Sequence, residues 1–321
     1  MVVVAVLFSV AGSYAAEPPS FTVALLPDTQ NYSEKYPETY KAQTRWIRDR
    51  AKADNIKFAI HLGDIVQTAS KEKEWKVADA AHKTLDGVVP YSVVPGNHDL
   101  DKTVWKDKKG KKRTKVTRGT RLYTKYFPPS RFKDCPWYGG HMGDDNANNY
   151  CTFEGGGMTF MVVSLEFGPR DEALAWASKV VKAHPDHRVI VATHYHMRPN
   201  GRAKGKQAKP YGFKANVGEN LWNKFVRKHA NIFMVVSGHV LGVNHQTAVN
   251  DAGGKVHEIL CDYQGLPNGG NGWLQTLRFV PAANKIHVEA YSPLLREHNK
   301  EPQHTYTLEY DMSATSLKKA G

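Results

Sequence analysis

The stretch Tyr91-Ser-Val-Val-Pro-Gly-Asn-His-Asp99 joins a short β-branched run to a glycine, an amide, an imidazole and a carboxylate. The apolar half has the length and composition of a buried strand, and Pro-Gly punctuates its end. Four further clusters repeat this form. Asp28-Thr-Gln30 follows FTVALLP, Gly63-Asp64 follows IKFAIHL, His194 follows RVIVAT, and Gly238-His239 follows NIFMVVS. Polar groups delivered from five strand ends can converge on one crevice, because open α/β sheets place their sites outside the carboxyl ends of their strands. No packing requirement explains such a set.

Working outward from these runs, strands are expected at 21–26, 57–62, 91–94, 158–164, 188–193, 231–236, 256–261, 274–280, 285–291 and 305–310. Between them, 39–52 and 72–85 read as helices. Pro169 opens another, with Leu174, Ala177 and Val181 sharing one face at i, i+3 and i+7. Asn216 followed by Glu219 has the spacing of a capping box for a fourth. Strand–helix alternation up to residue 236, then mostly strands, predicts an α/β protein.

The ordered motifs DTQ, GD, GNHD, a lone His and GH resemble the signature of the calcineurin-like metallophosphoesterases, and the resemblance covers most of the chain. It implies a four-layer α/β/β/α sandwich, two mixed sheets flanked by helices, with the late strands completing the second sheet. It also implies a hydrolase acting on phosphate esters through two divalent transition-metal ions, Mn, Zn or Fe. By motif, Asp64 bridges the ions, Asp28 and Gln30 hold the first, and Asn97, His194 and His239 hold the second. His98 sits beside the substrate as proton donor or charge stabiliser.

Three positions depart from that pattern. Gln30 stands where His is commonest, Leu241 replaces the second His of the last motif, and Gln67 replaces an Asp that often orients the catalytic His. A fourth ligand for the first ion is therefore sought nearby, with Asn244 and His245 as candidates and His196 as a further site group. One tightly and one loosely held ion would fit these changes.

Charge and composition add the rest. With 321 residues, 41% hydrophobic content and 34 aromatic side chains, the chain can bury a sizeable core, which excludes a disordered chain. Formal net charge is +13, and two segments concentrate it. Residues 102–121 hold ten Lys or Arg and 198–214 hold six, as basic insertions following GNHD and His194. Both are expected to overhang the site and draw in an anionic phosphate-ester substrate, with nucleic acid as an alternative. The Gly/Asn-rich loop 262–273 offers Tyr263, Gln264 and Trp273 as contacts for the organic part of a substrate.

Residues 1–16 read as a secretory signal, with an apolar core at 2–11 and a small-x-small pattern at 13–15, leaving one domain over 17–321. No other run is apolar enough to cross a membrane. In an exported protein Cys135 and Cys151 could pair, whereas Cys261 ends an apolar run as a buried thiol. The expectation is a secreted phosphoesterase leaning towards diesters. A nuclease, or a non-catalytic polyanion- or metal-binding protein, is the alternative.

Overall fold

The computed structural model describes residues 18–208 and 210–313. The expected signal segment 1–16 lies outside them. Eighteen strands are described: β1 Phe21–Leu26, β2 Ile56–His61, β3 Tyr91–Val93, β4 Lys102–Lys106, β5 Lys112–Val116, β6 Tyr138–His141, β7 Asn149–Gly155, β8 Met158–Leu165, β9 Arg188–Thr193, β10 Met197–Arg198, β11 Gly201–Arg202, β12 Ile232–Ser237, β13 Gly242–Val249, β14 Lys255–Asp262, β15 Leu274–Val280, β16 Lys285–Ser292, β17 Glu297–Asn299 and β18 Thr305–Glu309. The helices are α1 Gln30–Lys35, α2 Pro37–Arg50, α3 Glu72–His82, α4 Arg121–Tyr126, α5 Pro129–Phe132, α6 Asp171–Ala183 and α7 Glu219–Lys224.

Two seven-stranded mixed sheets form the middle of the molecule. The first runs β17-β16-β15-β1-β2-β3 with β18 also on β16, and the second runs β13-β14-β12-β9-β8-β7-β6. Alternation along single strands assigns the layers. Val23 and Leu25 of β1 join Val162 of β8 and Ile190 of β9 in the core between the sheets, with Phe160 and Phe279. Their neighbours Ala24 and Leu26 face outward onto Tyr40 and Ile47 of α2 and Trp75 of α3. On the other side Met161, Val163, Val189 and Val191 meet Leu174 and Ala177 of α6 and Leu221 of α7. A strand apolar on both faces can only be buried on both, and a helix on one side with a sheet on the other satisfies it. The expected α/β/β/α sandwich is the observed architecture.

Four expectations need correction. The strands β15 to β18 belong to the first sheet, not the second, because β15 pairs antiparallel with the open edge of β1, Val23 opposite Leu277. The basic segment after GNHD is a β-hairpin, β4 on β5, exposed along nearly its whole length. Asn216 does not cap α7; its side-chain amide donates to the Pro169 carbonyl (2.9 Å) and to Asp171 Oδ1 (3.0 Å), tying the start of α6 to this loop. The three cysteines are free thiols. Cys151 points into the core between the sheets, its Sγ 3.8 Å from Asn149 Oδ1, while Cys135 sits in the turn after α5. No helix among the described residues is long and apolar enough to cross a membrane.

Candidate metal centre

The strands β1, β2 and β3 are mutually parallel, as are β8, β9, β12 and β14 in the second sheet. Their carboxyl ends carry Asp28, Asp64, Asn97, His194 and His239 into one place, as the sequence predicts. Asp64, His194 and His239 offer ligand atoms that all lie within 4.8 Å of one another. His194 Nε2 is 3.3 Å from Asp64 Oδ1 and 3.9 Å from Asp28 Oδ2. Asp28, Asp64 and His194 are almost completely buried, and so are Gln30 and Asn97.

Hydrogen bonds to the backbone hold these groups in position. The His194 Nδ1–H donates to the Leu62 carbonyl (2.8 Å), which turns Nε2 towards the cluster. The His98 amide donates to Asp64 Oδ1 (2.8 Å), and the His239 amide to Asp28 Oδ2 (3.2 Å). Asp99 accepts from the amides of Gly96 (2.7 Å), Ile65 and Val66 (3.0 Å each), stitching the GD loop to the GNHD loop.

Two motif glycines are fixed by close approach. A Cβ on Gly96 would collide with Asp64 Oδ1, and one on Gly238 with Asp28 Oδ1. Asp64 (φ 48°) and His239 (φ 74°) themselves occupy left-handed backbone, a strain that survives only where the surroundings enforce it.

The electrostatics call for a cation. Four carboxylates, Asp28, Asp64, Asp99 and Asp262, are buried together, and among the described residues no Lys or Arg pairs with any of them. Burial, reinforced by Asp262 and Asp64, pushes Asp28 well above the usual carboxylate range. Burial also raises Asp99 to about 7, helped by Asp64, and Asp262 to about 6. Asp64 goes the other way: burial opposes ionisation, but the adjacent His194 holds it below its ordinary value. His239 is lowered to about 3, by burial first and then by His194, so its ring is neutral and free to ligate.

Two amides complete the picture. Gln30 Oε1 and Asn97 Oδ1 are buried without a hydrogen-bond partner. Each orphaned acceptor costs about 1–3 kcal/mol unless something satisfies it. Oxygen and nitrogen donors in this mixture suit divalent ions such as Mn, Zn or Fe. Asp28, Gln30 and Asp64 could hold one, and Asp64, Asn97, His194 and His239 another.

The other sequence candidates lie elsewhere. His196 Nε2 is 2.7 Å from Glu258 Oε2, in a buried network where Arg202 also binds Glu258 and stacks on Trp222. Asn244 donates to the Arg198 carbonyl (3.4 Å), and His245 stacks on Tyr306 with ring centroids 3.7 Å apart. Both belong to β13, an edge strand directed away from the cluster. Tyr263 and Trp273 are buried in the core between the sheets, so neither is presented to a substrate.

Gln264 does reach the site, but as an internal brace. Its side-chain amide donates to Asp28 Oδ2 (3.2 Å) and to Asp262 Oδ2 (3.0 Å). Asp262, at the end of β14, is thus the site carboxylate that sequence reasoning passed over. It was quoted only as the start of a loop, although its place after a strand matched the other clusters. The missing Asp at Gln67 is compensated by backbone: His98 Nδ1–H donates to the Gln67 carbonyl (2.8 Å).

At the rim, Arg118 joins the two basic segments. Its guanidinium donates to the carbonyls of Gly168 (2.9 Å) and Lys214 (3.0 Å) and lies 4.6 Å from the Phe213 ring centroid. Phe167 packs beside His194 and His239, at 5.7 and 5.5 Å between ring centroids, and beside Tyr211 at 5.8 Å. The Tyr211 hydroxyl lies beside the Asn97 side chain. Nothing in the sequence singled out Tyr211, which shares a Gly- and Lys-rich segment with Phe213.

The sequence model of the calcineurin-like phosphoesterases matches residues 21–242. The uncharacterized protein YvnB of Bacillus subtilis (strain 168) is 34% identical over 293 residues. That alignment takes in 89% of this chain but 21% of YvnB, so the chain spans about a fifth of that relative's length. Among solved structures, purple acid phosphatase PPD1 from yellow lupin (Lupinus luteus) seeds is similar with a TM-score of 0.56. It is 12% identical and covers 95% of this chain and 56% of its own, a likeness of fold. With strand-end motifs, sandwich and matched span in agreement, the chain belongs to the calcineurin-like phosphoesterase family.

Proposed function

We propose that this chain is an exported phosphoesterase that works with two metal ions and prefers phosphodiesters. The observation that carries the two-ion reading is a pair of buried oxygens without a partner, Gln30 Oε1 two residues after Asp28 and Asn97 Oδ1 next to Gly96, which packs on Asp64. A single ion near His194 and His239 would leave Gln30 Oε1 without a partner. Two bound ions supply charge neutralisation for the phosphoryl group and an acidified water. The chain's own residues do the remainder. Asp64 would serve as a ligand to both ions. His98, anchored through Nδ1 by the Gln67 carbonyl, keeps Nε2 free to hand a proton to the leaving oxygen.

The preference for diesters rests on the rim. Leu241, where a second His is common, is 57% exposed and adds no charge, while the basic hairpin favours an extended anionic substrate. Export rests on the apolar segment 2–11. Nucleic acid is one polymer such a rim would accept, and it would bind with steep salt dependence.

The test is hydrolysis of matched aryl phosphate monoester and diester by protein stripped with chelator and reconstituted with Mn, Zn or Fe. Metal-restored turnover with the diester faster is expected, lost in Asp64→Ala. A faster monoester would overturn the preference. A folded protein inert with every metal would overturn the enzyme reading and leave the polyanion-binding alternative.

A further inference from the structure

Tyr211 stands at the mouth of the site, its ring packed on Phe167. It is 49% exposed, yet its backbone is left-handed (φ 55°, ψ 19°), a conformation a bulky residue adopts only under constraint. The constraint is visible. Arg118 clamps the following residues through the Lys214 carbonyl and the Phe213 ring, and the Tyr211 ring leans on Phe167, which itself contacts His194 and His239. The result brings the phenol to the Asn97 side chain.

What that phenol donates to matters. Asn97 Oδ1 is buried without a hydrogen-bond partner, so the phenol beside it does not spend its hydrogen on Asn97. The one hydrogen of the phenol therefore remains available. An O–H donor beside Asn97, on a half-exposed residue, stands where an anion entering the site would pass.

We propose that Tyr211 is a catalytic residue whose hydroxyl donates to a non-bridging oxygen of the bound phosphoryl group, supplied by the second basic segment as a cap over the Asn97 side of the site. This rests on the phosphoesterase reading above. No covalent change at Tyr211 is involved; the phenol stays protonated throughout and stabilises charge as it builds on the phosphoryl oxygens.

Tyr211→Phe tests it, since the ring keeps its contact with Phe167 and only the hydroxyl is lost. The expected result is a fall of about tenfold to a hundredfold in kcat/KM, the scale of one hydrogen bond to a charged oxygen. Metal content should not change. The fall should be the same across aryl leaving groups of different acidity, because a non-bridging contact does not sense the leaving oxygen. Calorimetric binding of inorganic phosphate to the metal-loaded protein should weaken several-fold, a reading that does not depend on turnover.

Unchanged phosphate affinity and unchanged kcat/KM would overturn the proposal. A loss explained by depleted metal would also overturn it, reducing Tyr211 to a support for Asn97. Wild-type protein that binds phosphate but hydrolyses neither ester would instead refute the phosphoesterase reading, with the phosphate comparison still deciding Tyr211.

Discussion

The floor of the site and its rim are built by opposite rules. On the floor, Asp28, Asp64 and His194 are almost wholly buried, each held by backbone, and neighbouring glycines leave no room for one further carbon. On the rim, β4 and β5 form a two-stranded ribbon, exposed at almost every residue and paired with no other strand. Trp105 and Val104 stand about half exposed on it. A floor of this kind sets whether chemistry happens at all. A rim of this kind sets which anions arrive and how fast.

The sharpest way to break the contrast is a single carbon on the floor. Gly238→Ala drives a methyl group into Asp28, so turnover should fall about a thousandfold or more, as for loss of a metal ligand worth several kcal/mol. Circular dichroism should show the fold intact. Near wild-type turnover would mean that the Gly238–Asp28 contact is dispensable.

Next in size is His98→Ala, expected to lower kcat about 10²- to 10⁴-fold while leaving bound metal unchanged by atomic absorption. Because His98 is held by a carbonyl rather than a carboxylate, Gln67→Ala should leave kcat within about threefold of wild type, since the side chain is not what orients the imidazole. A large loss in Gln67→Ala would contradict that account.

A smaller effect is thermodynamic. In metal-free protein, burial raises the Asp262 carboxyl to about 6 from an ordinary 3.8. A raised folded-state value means that the folded protein holds the proton longer than the unfolded chain. Its stabilising share is complete below about 3.8 and is lost as pH rises through about 6. Thermal melts of metal-free Asp262→Asn should therefore gain on wild type across that window and run parallel above it. A gap that does not change with pH would dissociate Asp262 from the carboxylate cluster.

The smallest expected effect belongs to the rim. Replacing Lys106, Lys108, Lys109, Lys112 and Lys115 by Gln should leave kcat on a small aryl ester within about twofold. It should also flatten the salt dependence of binding to a polyanionic substrate, where each phosphate contact released contributes to the slope. If kcat on the small ester collapsed instead, the ribbon would belong to the floor.

How much of this the sequence carried follows the same division. Floor residues were legible because each follows a strand of apolar residues buried on both faces, and strand ends of parallel sheets gather on one edge. Asp262 obeyed the rule, but the Gly- and Asn-rich residues after it drew attention to the loop instead. The hairpin was hidden because its strands, KTVWK and KRTKV, carry more charge than periodicity. The placement of β15 to β18 was not legible: strand order in the chain does not say which open edge a late strand will find. β13 escaped notice too, with polar Asn244, His245 and Gln246 in an edge strand paired only on the β14 side. Tyr211 was beyond reach, since its importance comes from a backbone angle and a neighbour 114 positions away in sequence.

The two sheets each supply half of the cluster: Asp28, Asp64 and Asn97 hang from the first, His194, His239 and Asp262 from the second. Whatever binds there is a rivet through the seam of the sandwich as well as a reagent. Ligand affinity then adds to the cohesion of the two halves, by an amount that grows with the logarithm of free metal. Scarcity of metal would accordingly be felt twice, as lost catalysis and as a protein easier to prise open along its middle.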